Sequence, residues 1–197
     1  RIYPNLGQAG RIFYSEELGV RRIQLNAFMP PASLSRRYEI AAWLAGRLAY
    51  ELAQWHEIAQ WNGFQSVPGF SEEISAFSPE DLYSNLLGAR LAISVILHGH
   101  AGSVDDYNRA MDVALKKVLV KLMVAPRSET ESMFRKLDGD WWNSQRRVPD
   151  KFLVLKRNYD MSDDRLPTPV PFERTTPWRL TLPQTVDGFS LAELGQL

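Results

Sequence analysis

The chain has 197 residues, 45% of them hydrophobic, enough for one domain with a substantial core; its lack of cysteine excludes disulfides, thiol nucleophiles and thiolate metal sites. Its 23 lysines and arginines balance 23 aspartates and glutamates, so overall charge offers no footing for a polyanion and no nucleic-acid partner is expected. The most apolar stretch, 86–97, is interrupted by Arg90 and is shorter than the roughly 20 residues of a membrane span, so no transmembrane segment is expected.

In chain order, two short runs with β-branched and aromatic members, Arg11 to Tyr14 and Arg21 to Leu25, predict a hairpin over 11–25. After Pro30 and Pro31 a helical period runs from Ser35 to Trp61, with Asn62 and Gly63 suited to end it. A loop over 64–77 leads to Ser78, Pro79, Glu80 and Asp81, residue types that start helices, and predicts a helix over 79–97. A third helix is predicted from Ser103 to Val124, amphipathic with a basic face, and a short fourth from Ser128 to Leu137. Residues 152–155 read as a strand. From Leu166 onward, clustered prolines predict an extended run along the surface, with Trp178 to Leu182 as an edge strand. The fold class expected is mainly α with a small β component (α+β), in one domain over 1–197. It would comprise a peripheral hairpin, a helical core over 35–137 built on three principal helices, and a proline-rich extended section over 150–197.

On a helical wheel, Ile40, Leu44, Leu48, Trp55 and Ile58 form the apolar stripe of the first helix. Glu51 falls within that stripe, and Arg47, four residues earlier, is the expected structural partner. His56 shares a face with Ala42, Ala45, Ala49 and Leu52, small enough for close approach of a second helix or a ligand. Glu57 shares a third face with Trp43, Tyr50, Gln54 and Trp61.

The adjacent His56 and Glu57 echo the zinc-protease pattern HExxH, in which two histidines four apart bind the metal. Gln60 stands where the second histidine belongs, so that reading fails at its defining residue. A divalent metal held by His56, Glu57 and more distant ligands stays open, with Glu72, Glu73, Asp81, His98 and His100 as the candidates. His98 and His100 flank Gly99 at a helix end, where histidines also serve as caps. On the second helix, Asp81, Ser84, Asn85, Gly88 and Ala92 form a small and polar stripe that would dock on the alanine face of the first and bring His56 to Asp81, Ser84 or Asn85. No G-x-S-x-G elbow or glycine-rich phosphate loop is present.

The run Ala53-Gln54-Trp55-His56-Glu57-Ile58, followed by Ser75 through Gly88 (SAFSPEDLYSNLLG), resembles a bacterial family known as domain of unknown function four thousand and fifty-six. The resemblance covers about the first half of the chain and is not apparent after about Val124. It implies an exported, often lipid-anchored, envelope protein, placed in the periplasm or at the outer membrane, and it brings no activity. It also implies an upstream segment with further histidine and aspartate residues. The start at Arg1 rather than methionine is expected to reflect removal of an upstream piece, where a lipid anchor would sit.

Two functional expectations follow. The first is a hydrolase-like protein acting on an unidentified small molecule or envelope component, with its site between the first two helices. His56 and Glu57 would be catalytic or metal-binding there, and Glu73, Asp81, Ser84, Asn85, Tyr50 and Gln54 would bind or orient. The second is a non-catalytic envelope protein that recognises glycan, peptide or a protein partner through Trp141, Trp142 and Trp178.

Overall fold

A computed structural model describes residues 1–197 apart from Glu17 and 173–175. The fold is mixed α+β with a helical core. Strands β1 (Gly10–Glu16) and β2 (Gly19–Leu25) form the expected hairpin, in register from Gly10 opposite Leu25 to Glu16 opposite Gly19. Alternation along β2 turns Ile23 and Leu25 into the core and leaves Arg22 outside.

Four helices follow: α1 (Leu34–Trp61), α2 (Asp81–Leu97), α3 (Val104–Lys121) and α4 (Arg127–Lys136). Ser103 caps α3 as its residue type predicts, accepting the Asp106 N–H at 3.1 Å. Helix α2 starts two residues later than expected. Ser78 and Pro79 are spent on the entry turn, where the Asp81 N–H donates to the Ser78 carbonyl at 3.2 Å. No helix among the described residues is long and apolar enough to cross a membrane.

The way α1 and α2 meet departs from expectation. Ser84 and Gly88 are exposed, so the small and polar stripe of α2 does not dock on the alanine face of α1. Contact is made instead at Gly46, where an added Cβ would lie 2.3 Å from Cδ1 of the buried Ile93. The alanine face is left lining, with the hairpin and the first residues of the chain, a cavity of about 440 Å³. Gly46→Ala should therefore cost about 1–3 kcal/mol through overpacking, read as a lower melting temperature. An Ile93→Ala change in the same chain should relieve the clash and make the two effects non-additive.

The C-terminal section also corrects the expectation. Residues 152–155 are not a strand: Lys151–Leu153 make a 3₁₀ turn, with Asp150 accepting the Phe152 N–H, and Val154 alone bridges to Trp142. The described part of the proline-rich run over 166–177 does lie on the surface, exposed or half-buried, and the strand expected within Trp178 to Leu182 forms, but the chain beyond it turns inward. Short strands β3 (Asp164–Arg165) and β4 (Leu180–Thr181) pair, as do β5 (Thr185–Val186) and β6 (Phe189–Ser190). A single-turn helix α5 (Leu191–Leu194) then leads into β7 (Gly195–Gln196), which adds to β2 as the third strand of the hairpin sheet. Leu191 and Leu194 enter one core cluster with Ile23, Leu25, Ile40, Leu44 and Leu48. Leu180 and Leu182 enter a second with Tyr50, Tyr83, Leu86 and Ile93.

Candidate functional site

Where α1 ends and α2 begins, the connecting loop folds back over the third small core cluster, Ala76, Phe77 and Leu82, with Ile58 and Trp61 packed against it. Glu57, one helical face round from the apolar stripe, points into this cluster and is 5% exposed. Its Oε2 accepts the Phe77 N–H at 2.8 Å. Asp81, on the first turn of α2, accepts the Ser78 N–H at 2.7 Å and hydrogen-bonds to Glu57. Two carboxyl groups in contact away from water cannot both ionise cheaply, so one proton is shared between them.

Burial pushes Glu57 up to about 7, against the opposing effect of the Phe77 N–H, and the charges of Asp81 and Glu80 add to the rise. Asp81 is also raised by burial, with the Ser78 bonds working the other way. Phe77 holds a left-handed backbone conformation at φ +57°, unfavourable for a bulky residue. It is held there from several sides. Glu57 takes its N–H, the Asn158 N–H donates to its carbonyl at 2.8 Å, and its ring packs on Tyr159 at 5.2 Å.

A distant segment closes the site. Arg157 donates to the Ala76 carbonyl and, at 2.7 Å, to that of Lys151, while the Asp81 charge bears on its guanidinium. Lys151 donates to the Trp61 carbonyl at 2.6 Å and lies 3.8 Å from Glu73. Sequence reasoning had no signal for Arg157, Lys151 or Tyr159, because they lie in an aperiodic stretch far from α1.

His56, next to Glu57 in sequence, faces away from the carboxyl pair. Its Nε2 lies 3.9 Å from Glu72 Oε2, and its ring meets Phe64 edge-on at 6.0 Å. A bond from the Gln60 amide, joined by the Ser66 N–H, holds Glu72 below the usual carboxylate range.

A model of the family described as Protein of unknown function (DUF4056) matches residues 1–171. The chain belongs to this family. No curated protein and no solved structure matches it. The match runs well past Val124, so more of this DUF4056 chain belongs to the family pattern than its first half. Within it, the run Ser75 to Gly88 includes the residues that wrap Glu57: Phe77 supplies the donor, Ser78 the entry turn and Asp81 the second carboxyl.

The sequence-predicted residues therefore separate into groups. Glu57 and Asp81 come together. His56 is on the other side with Glu72, and does not bond to Asp81, Ser84 or Asn85. Ser84 is exposed, its hydroxyl donating to the Asp81 carbonyl at 2.9 Å, and Asn85 is half-buried. Glu73 pairs with Lys151. Tyr50 and Gln54 donate to the carbonyls of Ser162 and Met161, anchoring the 160–165 segment. Glu51 bonds Arg47 at 2.8 Å, the structural pairing expected of it.

The donor set does not fit a divalent metal. Among the described residues no three of the His, Asp and Glu side chains converge on one point, because the helix sends His56 and Glu57 in different directions. His98 bonds its own last-turn carbonyl at Ser94 and His100 faces Asp106 at 3.3 Å. Of the tryptophans, Trp142 donates its indole N–H to the Phe134 carbonyl, while Lys156 and Lys121 lie over the rings of Trp141 and Trp178. All three are half-buried.

Proposed function

We propose that this chain is a hydrolase-like acid–base protein of the bacterial envelope, with the Glu57–Asp81 pair as its working group and an unidentified small molecule or envelope component as its substrate. The observation that carries the reading is a carboxyl group poised to exchange a proton near neutrality, held by a strained backbone turn against a second carboxyl. Asp81 is the more exposed of the two and would meet the substrate, while Glu57 behind it supplies or takes up the proton. Ser84 and Asn85, on the following turn of α2, would orient the bound group. The envelope setting is supported by the family resemblance.

The test is turnover on a panel of model esters, amides and glycosides. Wild type should hydrolyse at least one class, with a pH profile that bends near 7. Glu57→Gln, which keeps the size of the side chain but cannot release a proton, should lose the activity by about 10²–10⁴-fold. Wild type inert on every class, or a Glu57→Gln chain of full activity, would end this reading.

A second reading has its own support. Glu57 is almost wholly buried with its hydrogen bonds made internally, which equally suits a clamp holding the 75–81 loop in a non-catalytic binding protein. A groove of about 620 Å³, where Trp178 faces Pro126, Met133 and Val170, would then be the place for a glycan, peptide or protein partner.

A further inference from the structure

The turn between α3 and α4 is made of the wrong residues for a solvated loop. Met123, Val124, Ala125 and Pro126 follow one another without a polar side chain, and all four are exposed. Val120, on the last turn of α3, is 76% exposed, Met123 64% and Val124 62%. Met123 also has a positive φ of 51°, so an exposed apolar residue is held in a conformation that glycine or asparagine would take at lower cost. Helix α3 buries no residue fully. It rests on α2 through the half-buried Val118 and Leu122, and its opposite side is left uncovered.

Charge is arranged to match. Residues 113–127 contain Lys116, Lys117, Lys121 and Arg127 and no acidic side chain, although the whole chain is neutral. On the wheel, Val113, Lys116, Lys117 and Val120 share one outward arc of about 100°. Lys116 and Lys117 have no ion-pair partner among the described residues. Lys121 lies over the Trp178 ring, and Arg127 bonds Glu131 at 2.7 Å. The nearest flanking acids are Asp112 before the stretch and Glu129 and Glu131 after it.

We infer that this face docks on an anionic bilayer surface, Val120, Met123 and Val124 entering the headgroup region while Lys116 and Lys117 meet lipid phosphates. A protein partner fits less well. Protein interfaces anchor on tryptophan, tyrosine and arginine, whereas at this tip Trp178 is covered by Lys121 and Arg127 is held by Glu131, leaving aliphatic side chains with Lys116 and Lys117 to make contact.

The test is co-sedimentation of the full chain with vesicles of equal parts phosphatidylglycerol and phosphatidylcholine, and with vesicles of phosphatidylcholine alone. Binding is expected to the first, falling as salt is raised, and to be far weaker to the second. Lys116→Ala with Lys117→Ala should weaken partitioning on the order of thirtyfold. Val120→Asp with Val124→Asp should abolish it, with unfolding curves unchanged because both positions are exposed. Equal binding to the two vesicle types, no binding to either, or wild-type binding by both variants would overturn the inference. So would a wild-type dimer in solution that Val120→Asp with Val124→Asp dissociates, since the face would then belong to a second copy.

Discussion

Leu191→Ala should lower the folding free energy by about 2–5 kcal/mol, the range for emptying a packed leucine site, and should shift the urea midpoint accordingly. Leu191 is 0% exposed although it sits six residues from the last, and it packs in the cluster that joins α1 to the hairpin. Its neighbourhood has little room to collapse into the gap. A Cβ added at Gly195 would already lie 3.2 Å from Leu25 and 3.4 Å from Leu44, so backbone and core are in direct contact there. The tail is tied by polar bonds as well, the Asn26 N–H donating to the Leu194 carbonyl at 3.0 Å and the Asn26 amide to that of Glu193 at 2.7 Å. Deleting residues 185–197 removes Val186, Leu191, Leu194 and the third strand together, and should leave no cooperative unfolding transition. The family match ends at residue 171, yet the core is completed by residues beyond it. A Leu191→Ala chain within about 0.5 kcal/mol of wild type, the spread of ordinary surface changes, would show that the tail is not docked.

The second large effect is a pH dependence that one isosteric change should remove. The Glu57 carboxyl rises from 4.5 to about 7 on folding, so between those values the folded chain keeps a proton that the unfolded chain releases. Stability contributed by this group is therefore full below pH 4.5 and is lost as pH rises through 7, by on the order of 3 kcal/mol in all. Asp81, also raised, adds in the same sense at the acid end. Glu57→Gln imitates the protonated acid at every pH: its amide oxygen can accept the Phe77 N–H and its NH₂ can donate to Asp81. Wild type and variant should unfold alike near pH 4.5, and the variant should be the more stable at pH 8. Urea midpoints at the two pH values measure this. Parallel curves for the two proteins would mean that folding does not raise the Glu57 carboxyl. Set beside the turnover test, the same variant separates the two functional readings, since a clamp gains from the change and a proton donor is disabled by it.

Much of the helical frame is legible locally. The boundaries of α1, α3 and α4 follow from apolar period and end-residue types, and the hairpin from its two β-rich runs, because backbone propensity and amphipathicity are properties of neighbouring residues. Glu51 with Arg47 is legible for the same reason, four residues apart on one helix. The wheel also marks Tyr50, Gln54, Glu57 and Trp61 as a mixed aromatic and hydrogen-bonding face. What that face meets is not local. Tyr50 and Gln54 bond Ser162 and Met161, and Trp61 takes Lys151, partners 90 or more residues away in a stretch with no period to reveal them.

The tail misleads for a related reason. Its prolines disrupt any regular pattern, so Leu191 and Leu194 look like scattered surface residues until β7 pairs with β2 and draws them inward, and the strand legible at Leu180 gives no sign that Leu180 and Leu182 are buried against α2. The separation of His56 from Glu57 is a consequence of helix geometry, about 100° per residue, and could be expected from the wheel. Which of the two would meet Asp81 depended on how α2 approaches, and that was decided by the gap at Gly46 that admits Ile93. Residue type and spacing thus determine the elements and the faces they present, while the pairing of those faces rests on shape complementarity between distant segments, which only the folded chain expresses.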